Sequence, residues 1–303
     1  MQSPFLGWHF KRLDLHQRAR LTELFTLHPQ PLSGYTFASL ATWDPVFHYS
    51  WMLDSSGTLL ISCLLDPDRR RHLMQPLGPL PSATQEQLIR EAASLPYPLK
   101  IVGVSEEFLA SSADFVRRCK VGEDPAASNY IYLAENLAQL PGRKYAKKRN
   151  LISQAQGSYS WAPESLTDSN TAACFEVLRR IREEEEPEID VNLQQELAAL
   201  DRTLHLWGEL GQEGLLLRVD GKPVAFSIYE PISPTMVAVH FERALRSYKG
   251  LYQVINWETA RVVAAKGFEF INREEDLGSP GLRDAKRSYA PVKLNPAYVL
   301  FPA

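Results

Sequence analysis

GLLLRVDGKPVAFSIYE, residues 214–230, decides the fold. Two apolar runs, 214–219 and 224–230, flank Asp220-Gly221, the dipeptide of a tight β-hairpin. A third strand, about Thr235 to Glu242, follows the break between Pro231 and Pro234. After Lys249-Gly250, the spacing of Leu251, Val254, Ile255 and Val262 predicts a helix of about sixteen residues. Phe268 to Ile271 then returns to a short apolar strand.

Outward from this centre, Tyr159 to Ser165 reads as a strand. Thr167 or Asp168 caps a helix to about Arg182, with Phe175, Leu178 and Ile181 facing inward. A second helix, about Asn192 to Trp207, carries the stripe Leu193, Leu197, Leu200 and Leu204. Downstream come a charged loop, a short helix from Leu282 and a last strand, AYVLF. The second half is therefore strand, helix, helix, three antiparallel strands, helix, strand, helix, strand.

The first half carries a blurred version of the same order. Asp14 caps a helix to about Leu27, with Leu21, Leu24 and Phe25 on one face. Strands flank Ser55-Ser56-Gly57, a helix covers about Thr84 to Leu95, and LKIVGVS (99–105) is an apolar strand. The expected fold class is α/β, α+β in detail, with mixed sheets flanked by helices and a division near residue 140, giving domains 1–140 and 141–303.

The chain has 303 residues, a net charge of −3 and an ordinary apolar fraction, enough to bury a large core without disulfides or structural metals. Nothing global draws it to DNA, RNA or an anionic membrane, so any such attraction must be local. Cys63, Cys119 and Cys174 fit neither a disulfide framework nor zinc spacing, and the seven histidines are scattered. No metal site is expected. The N-terminus lacks a secretory apolar core and no run is long enough to span a bilayer, so a cytoplasmic location is expected.

The candidate site is NREEDLGSPGLRDAKRSYAP, residues 272–291, in which both charge signs are dense. A buried strand opening into such a loop is the pattern of a polar reaction site at a strand end. Arg283, Lys286 and Arg287 fall at i, i+3 and i+4 of the short helix. With Asp276 and Glu274 they form either a structural ion-pair network or a general base with cationic anchors for a phosphate or an oxyanion.

KYAKKRNLI (144–152), HFERA (240–244), KGLYQVIN (249–256) and the 272–291 loop resemble the family built on the C-terminal domain of phosphatidylglycerol lysyltransferases. Its members are tandem GNAT-like (acyl-CoA N-acyltransferase-like) folds. The matching motifs spread over about 130–298, with fewer before that. The best-known relatives transfer an amino acid from aminoacyl-tRNA to a lipid head group. Asp276-Leu277-Gly278 resembles a triplet at the same place in those enzymes, whereas their membrane-embedded region has no counterpart here.

The resemblance implies an acyltransferase with no tightly bound cofactor. Aminoacyl-tRNA is its donor (alternatively acyl-CoA), and a small-molecule or lipid head-group amine or alcohol is its acceptor. Asp276 or Glu242 would assist deprotonation, with Lys286, Arg283 and Arg273 holding the acyl or phosphate group. Asn272, Glu274, Asn256, Tyr252 and Tyr289 would line the substrate. The basic run Arg143, Lys144, Lys147, Lys148 and Arg149 offers phosphate contacts to tRNA, with Lys144, Lys147 and Lys148 on one face if helical. The Gly250 turn, flanked by bulky Tyr248 and Leu251, suits a backbone phosphate nest less well, which leaves Arg246 and Lys249 to hold a phosphate. His240 reads as a half-buried packing residue that shares a strand face with Glu242. The acidic run from Glu183 to Asp190 is a solvated loop or a lid for a cationic group. A fold that binds a nucleotide or other anion without turnover is the remaining reading.

Overall fold

The structure, a computed structural model, describes residues 4–65, 69–184 and 191–302. Its strands are β1 (Lys11–Arg12), β2 (Ser50–Leu53), β3 (Leu59–Leu65), β4 (Arg70–Met74), β5 (Ile101–Val104), β6 (Cys119–Glu123), β7 (Asn129–Leu133), β8 (Trp161–Ser165), β9 (Glu213–Val219), β10 (Lys222–Ser233), β11 (Met236–Ala244), β12 (Phe270–Asn272), β13 (Lys293–Asn295) and β14 (Tyr298–Pro302). They form two mixed sheets, in the orders β1-β2-β3-β4-β5-β14-β6 and β13-β7-β12-β11-β10-β9-β8.

The first compact unit is Met1–Asn129 with Glu275–Gly278 and Asn295–Ala303. Strands β1 to β4 run antiparallel in chain order, and β5 then joins β4 in parallel through Leu73↔Ile101 and Met74↔Val102. A parallel neighbour needs a crossover, which the helix Ser82–Ala93 supplies. Leu60, Leu73, Leu88, Ile101, Phe115 and Leu300 are fully buried in the core of this unit.

The second unit is Tyr130–Glu274 with Ser279–Leu294. Here β8 to β11 run antiparallel in chain order, and β12 joins β11 in parallel. The crossover is the helix Leu251–Ala265, whose Leu251, Val254, Ile255 and Val263 are buried with Leu217, Val224 and Ile271. Both φ values of the Asp220-Gly221 turn are positive, 49° and 77°, as its hairpin requires.

The two sheets thus share one plan: four antiparallel strands, a crossover helix, a parallel strand. Beyond the parallel strand each sheet takes a strand from the other half of the chain, β14 in the first sheet and β7 in the second. The blurred repeat of element order is real at the level of topology.

Local expectations are corrected in several places. Asp14 caps a 3₁₀ turn, Leu15–Gln17, that leads into the helix Arg18–Leu27. A helix at Phe37–Phe47, capped by Thr36 and containing Pro45, was not anticipated. The basic run does not lie on one helix: Arg143–Tyr145 is a 3₁₀ turn and the helix begins at Ala146. Lys144, Lys147 and Lys148 therefore do not share a helical face. Among the described residues no helix is long and apolar enough to cross a membrane, and no cluster of His, Cys, Asp and Glu has the makings of a metal site.

Candidate active site

β11 outruns its parallel neighbour. Met236, Val237 and Ala238 pair with Phe270, Ile271 and Asn272, after which β12 ends while β11 continues to Ala244. On its other side β11 carries a bulge: Ile228 opposes Phe241 and Tyr229 opposes Val239, so His240 is the extra residue. Bulges re-aim side chains and cluster beside reaction sites. The simple alternation that would set His240 and Glu242 on one face is interrupted here.

The His240 imidazole is buried between two carboxylates. Its Nε2 lies 2.9 Å from Glu230 Oε1 and its Nδ1 lies 2.7 Å from Glu274 Oε1. Burial works against the imidazolium, but Glu274 and Glu230 outweigh it and push the pKa up to about 10. His240 is thus a cation strapping β10 to the loop after β12, and not a neutral packing residue. Glu230 was missed in the sequence; a single acid closing the apolar run VAFSIYE was its only signal.

That strap fixes the next residue. Glu274 takes φ 59°, an uncommon conformation for a side-chain-bearing residue. Its N–H donates to Asn272 Oδ1 at 2.8 Å, and its carbonyl accepts the Tyr130 N–H at 3.0 Å. With its backbone held, Arg273 turns its guanidinium to Glu242, NH2 to Oε2 at 3.1 Å. The guanidinium also stacks over Tyr289 at 5.0 Å. Burial disfavours the Arg273 charge, but Glu242 overrides this and raises its pKa. Asn256, one turn into the crossover helix, donates from Nδ2 to the same Glu242 oxygen at 3.3 Å. A carboxylate, a guanidinium and an amide therefore meet where the sheet opens.

Lys286 is buried, and its ammonium donates to the Arg273 carbonyl. On the short helix Pro280–Arg287, Arg283, Lys286 and Arg287 keep the i, i+3, i+4 spacing but differ in burial: Lys286 is buried, Arg283 half-buried and Arg287 exposed. Lys148 is drawn from the basic run toward the same helix end. Its Nζ donates to Ser288 Oγ at 2.8 Å and lies 3.9 Å over the Tyr289 ring. Burial, then Arg273 and Lys147, pull its pKa down to about 8. Tyr289 is buried between the two cations, whereas Tyr252 is exposed on the crossover helix.

Asp276 belongs to the first unit. It is buried, and its Oδ1 accepts the Gly278 N–H at 2.9 Å. The Leu277 N–H donates to the Ala126 carbonyl at 3.0 Å. The Asp276-Leu277-Gly278 triplet is thus tied within itself and to Ala126.

Ahead of the Gly250 turn a protein carboxylate binds the backbone. Glu184 accepts the N–H groups of Arg246 at 2.8 Å and Ser247 at 3.3 Å, as well as the Ser247 hydroxyl. Gly250 has φ 88°, and a Cβ there would lie 2.5 Å from the Leu151 carbonyl oxygen. Its glycine is explained by the close approach of the helix Ala146–Ser158. Lys249 is exposed. Of the acidic run, Glu183 pairs with Arg179, and residues 185–190 lie outside the described residues. In the basic run Arg143, Lys144 and Lys147 are exposed, and Arg149 donates to the carbonyls of Leu140 and Gly142.

The model of the family "Phosphatidylglycerol lysyltransferase, C-terminal" matches residues 25–301. The chain belongs to this family. A conserved protein of unknown function from Bacteroides thetaiotaomicron is similar in structure, at TM-score 0.89 and 29% identity over 97% of this chain and 99% of that one. Two more distant structures show the fold alone. The L-PGS structure from Bacillus licheniformis aligns at TM-score 0.65 and 13% identity over 94% of this chain and 91% of that one. A tandem GNAT protein from the clavulanic acid biosynthesis pathway aligns at TM-score 0.55 and 11% identity over 97% and 98%. No curated protein matches the chain. This lysyltransferase-domain family member is thus a tandem GNAT-type fold in an acyltransferase family.

Proposed function

We propose that the chain transfers an aminoacyl group from aminoacyl-tRNA to an amine or hydroxyl acceptor, small or lipid-linked. The observation that carries this is the Glu242–Arg273 pair at the opening between β11 and β12. In the step, the acceptor atom attacks the ester carbonyl carbon of the donor. A bond to carbon forms, the ester bond to the ribose oxygen breaks, and the proton lost by the nucleophile passes through Glu242 to that oxygen. Arg273 opposes the negative charge on the tetrahedral intermediate. Lys286 holds Arg273 by its carbonyl, which makes it a positioning residue in this reading. No step in this reading is assigned to Asp276.

The Gly250 turn supports RNA over acyl-CoA as donor. The Arg246 and Ser247 amides that lead into it already hold Glu184, so a diphosphate reaching those two amides would have to displace a carboxylate. The exposed cations Arg143, Lys144 and Lys147 suit an RNA backbone. A cytoplasmic location belongs to the same reading.

The test is transfer of label from charged tRNA to ethanolamine, or to phosphatidylglycerol vesicles, by the purified chain. Label in either acceptor, lost in Glu242→Gln, is the expected result. If acetyl-CoA raises the melting temperature and charged tRNA neither binds nor donates, the donor assignment is wrong.

A further inference from the structure

Asn256 holds a buried acceptor that the protein leaves unused. The residue is 3% exposed on the crossover helix, and its Nδ2 is committed to Glu242. That commitment fixes the amide orientation, so Oδ1 is the other atom. Oδ1 is buried and has no hydrogen-bond partner among the described residues. An unpaired buried carbonyl is costly, so such atoms call for a reason. Glu242 adds to the pattern: Oε2 takes both Arg273 and Asn256, while Oε1 accepts no hydrogen bond from the described residues.

Two acceptor oxygens thus stand on hydrogen-bonded side chains, Asn256 and Glu242, the latter on β11 beyond its last pair with β12. A hydroxyl nucleophile brings one donor and would satisfy one of them. A neutral primary amine brings two. Charge points the same way: Arg273 offsets Glu242, so the pair presents no net negative charge to hold an ammonium. An uncharged amine, the form that attacks a carbonyl carbon, is the better match.

We infer that Asn256 Oδ1 and Glu242 Oε1 form the seat of a neutral primary amine, which makes the acceptor an amine and not an alcohol. The inference rests on the acyl-transfer reading for its meaning, but the seat itself is testable without a donor. The amine nitrogen donates one N–H to each oxygen and turns its lone pair away from both. Asn256 is then the residue that discriminates between nucleophiles, and Glu242 the one that receives the proton in the step described above.

The experiment uses two isosteric fluorinated probes on the intact chain, 2,2,2-trifluoroethylamine, which is uncharged near neutral pH, and 2,2,2-trifluoroethanol. Fluorine NMR titration reads their affinities. The seat predicts that the amine binds about tenfold tighter than the alcohol or better, since the alcohol strands one buried acceptor. Asn256→Leu should abolish that preference while keeping the circular dichroism and melting of a folded chain. If the variant does not fold, the ratio in the parent protein decides alone. Equal binding of the two probes overturns the inference, as does an unchanged preference in Asn256→Leu. Binding of neither probe also overturns it. The transfer assay separates the two claims: amine preference without transfer from charged tRNA removes the donor assignment and leaves the seat standing.

Discussion

The Arg273 guanidinium stands 3.1 Å from the Glu242 carboxylate, and both side chains are largely buried. Neither residue is near the other in sequence. They meet because β11 and β12 are parallel for three pairs only, after which His240 ties the departing loop back through Glu274. Removing one partner leaves the other charged in a poorly solvated place. Arg273→Met should destabilise the second unit by about 3 kcal/mol, as loss of one member of a buried pair does. Glu242→Gln should lower transfer by about a hundredfold or more with little change in donor binding. Urea unfolding and single-turnover transfer measure these separately.

His240 makes the alkaline side of the stability profile informative. Its folded pKa is raised to about 10 from an ordinary 6.5. A raised cationic group stabilises fully below its unfolded pKa, and that contribution falls away as pH rises through the folded one. The parent protein should therefore lose stability from about pH 6.5 to about pH 10 relative to His240→Gln, whose curve lacks this component. Urea midpoints across that range test it; parallel curves for the two proteins would mean that the imidazole is not charged in the fold.

What could be read in the sequence was local. Asp220-Gly221 carries its turn in two residues, and the Leu251 stripe carries its helix in period. The candidate site stands out in the sequence as a zone, because Asn272 to Glu274 follow an apolar strand directly. His240 was misread, because a bulge is a property of register between two strands and leaves no mark in either alone. Glu230 was hidden as the last letter of an apolar run. The exchange of β7 and β14 between sheets was illegible for a similar reason: both pair with strands far away in sequence. Lys148 looked like its neighbours in the basic run until Tyr289 and Ser288 were brought beside it.

Gly250 separates a packing role from a phosphate-binding one. A Cβ there collides with backbone, and the residue has φ 88°. Gly250→Ala should cost about 1–3 kcal/mol through strain and the displaced helix Ala146–Ser158. It should do so with no ligand present, which a thermal melt of the free protein reads directly. A variant as stable as the parent but defective only in donor binding would instead return Gly250 to the phosphate role.

The three exposed cations Arg143, Lys144 and Lys147 make a quantitative prediction about tRNA. Each phosphate contact releases condensed counterions, so affinity falls with salt at a log–log slope of about −0.7 to −0.9 per contact. If all three engage RNA phosphates, the slope is roughly −2 to −3. Lys144→Ala and Lys147→Ala should each make it shallower by nearly one and weaken all tRNAs alike, because a phosphate contact carries no sequence information. Arg149→Ala should behave differently. Its guanidinium is committed to the Leu140 and Gly142 carbonyls, so its loss should loosen the turn before the helix and leave the salt slope unchanged. Filter binding at four salt concentrations resolves these slopes, and a salt-independent affinity would remove RNA from this surface altogether.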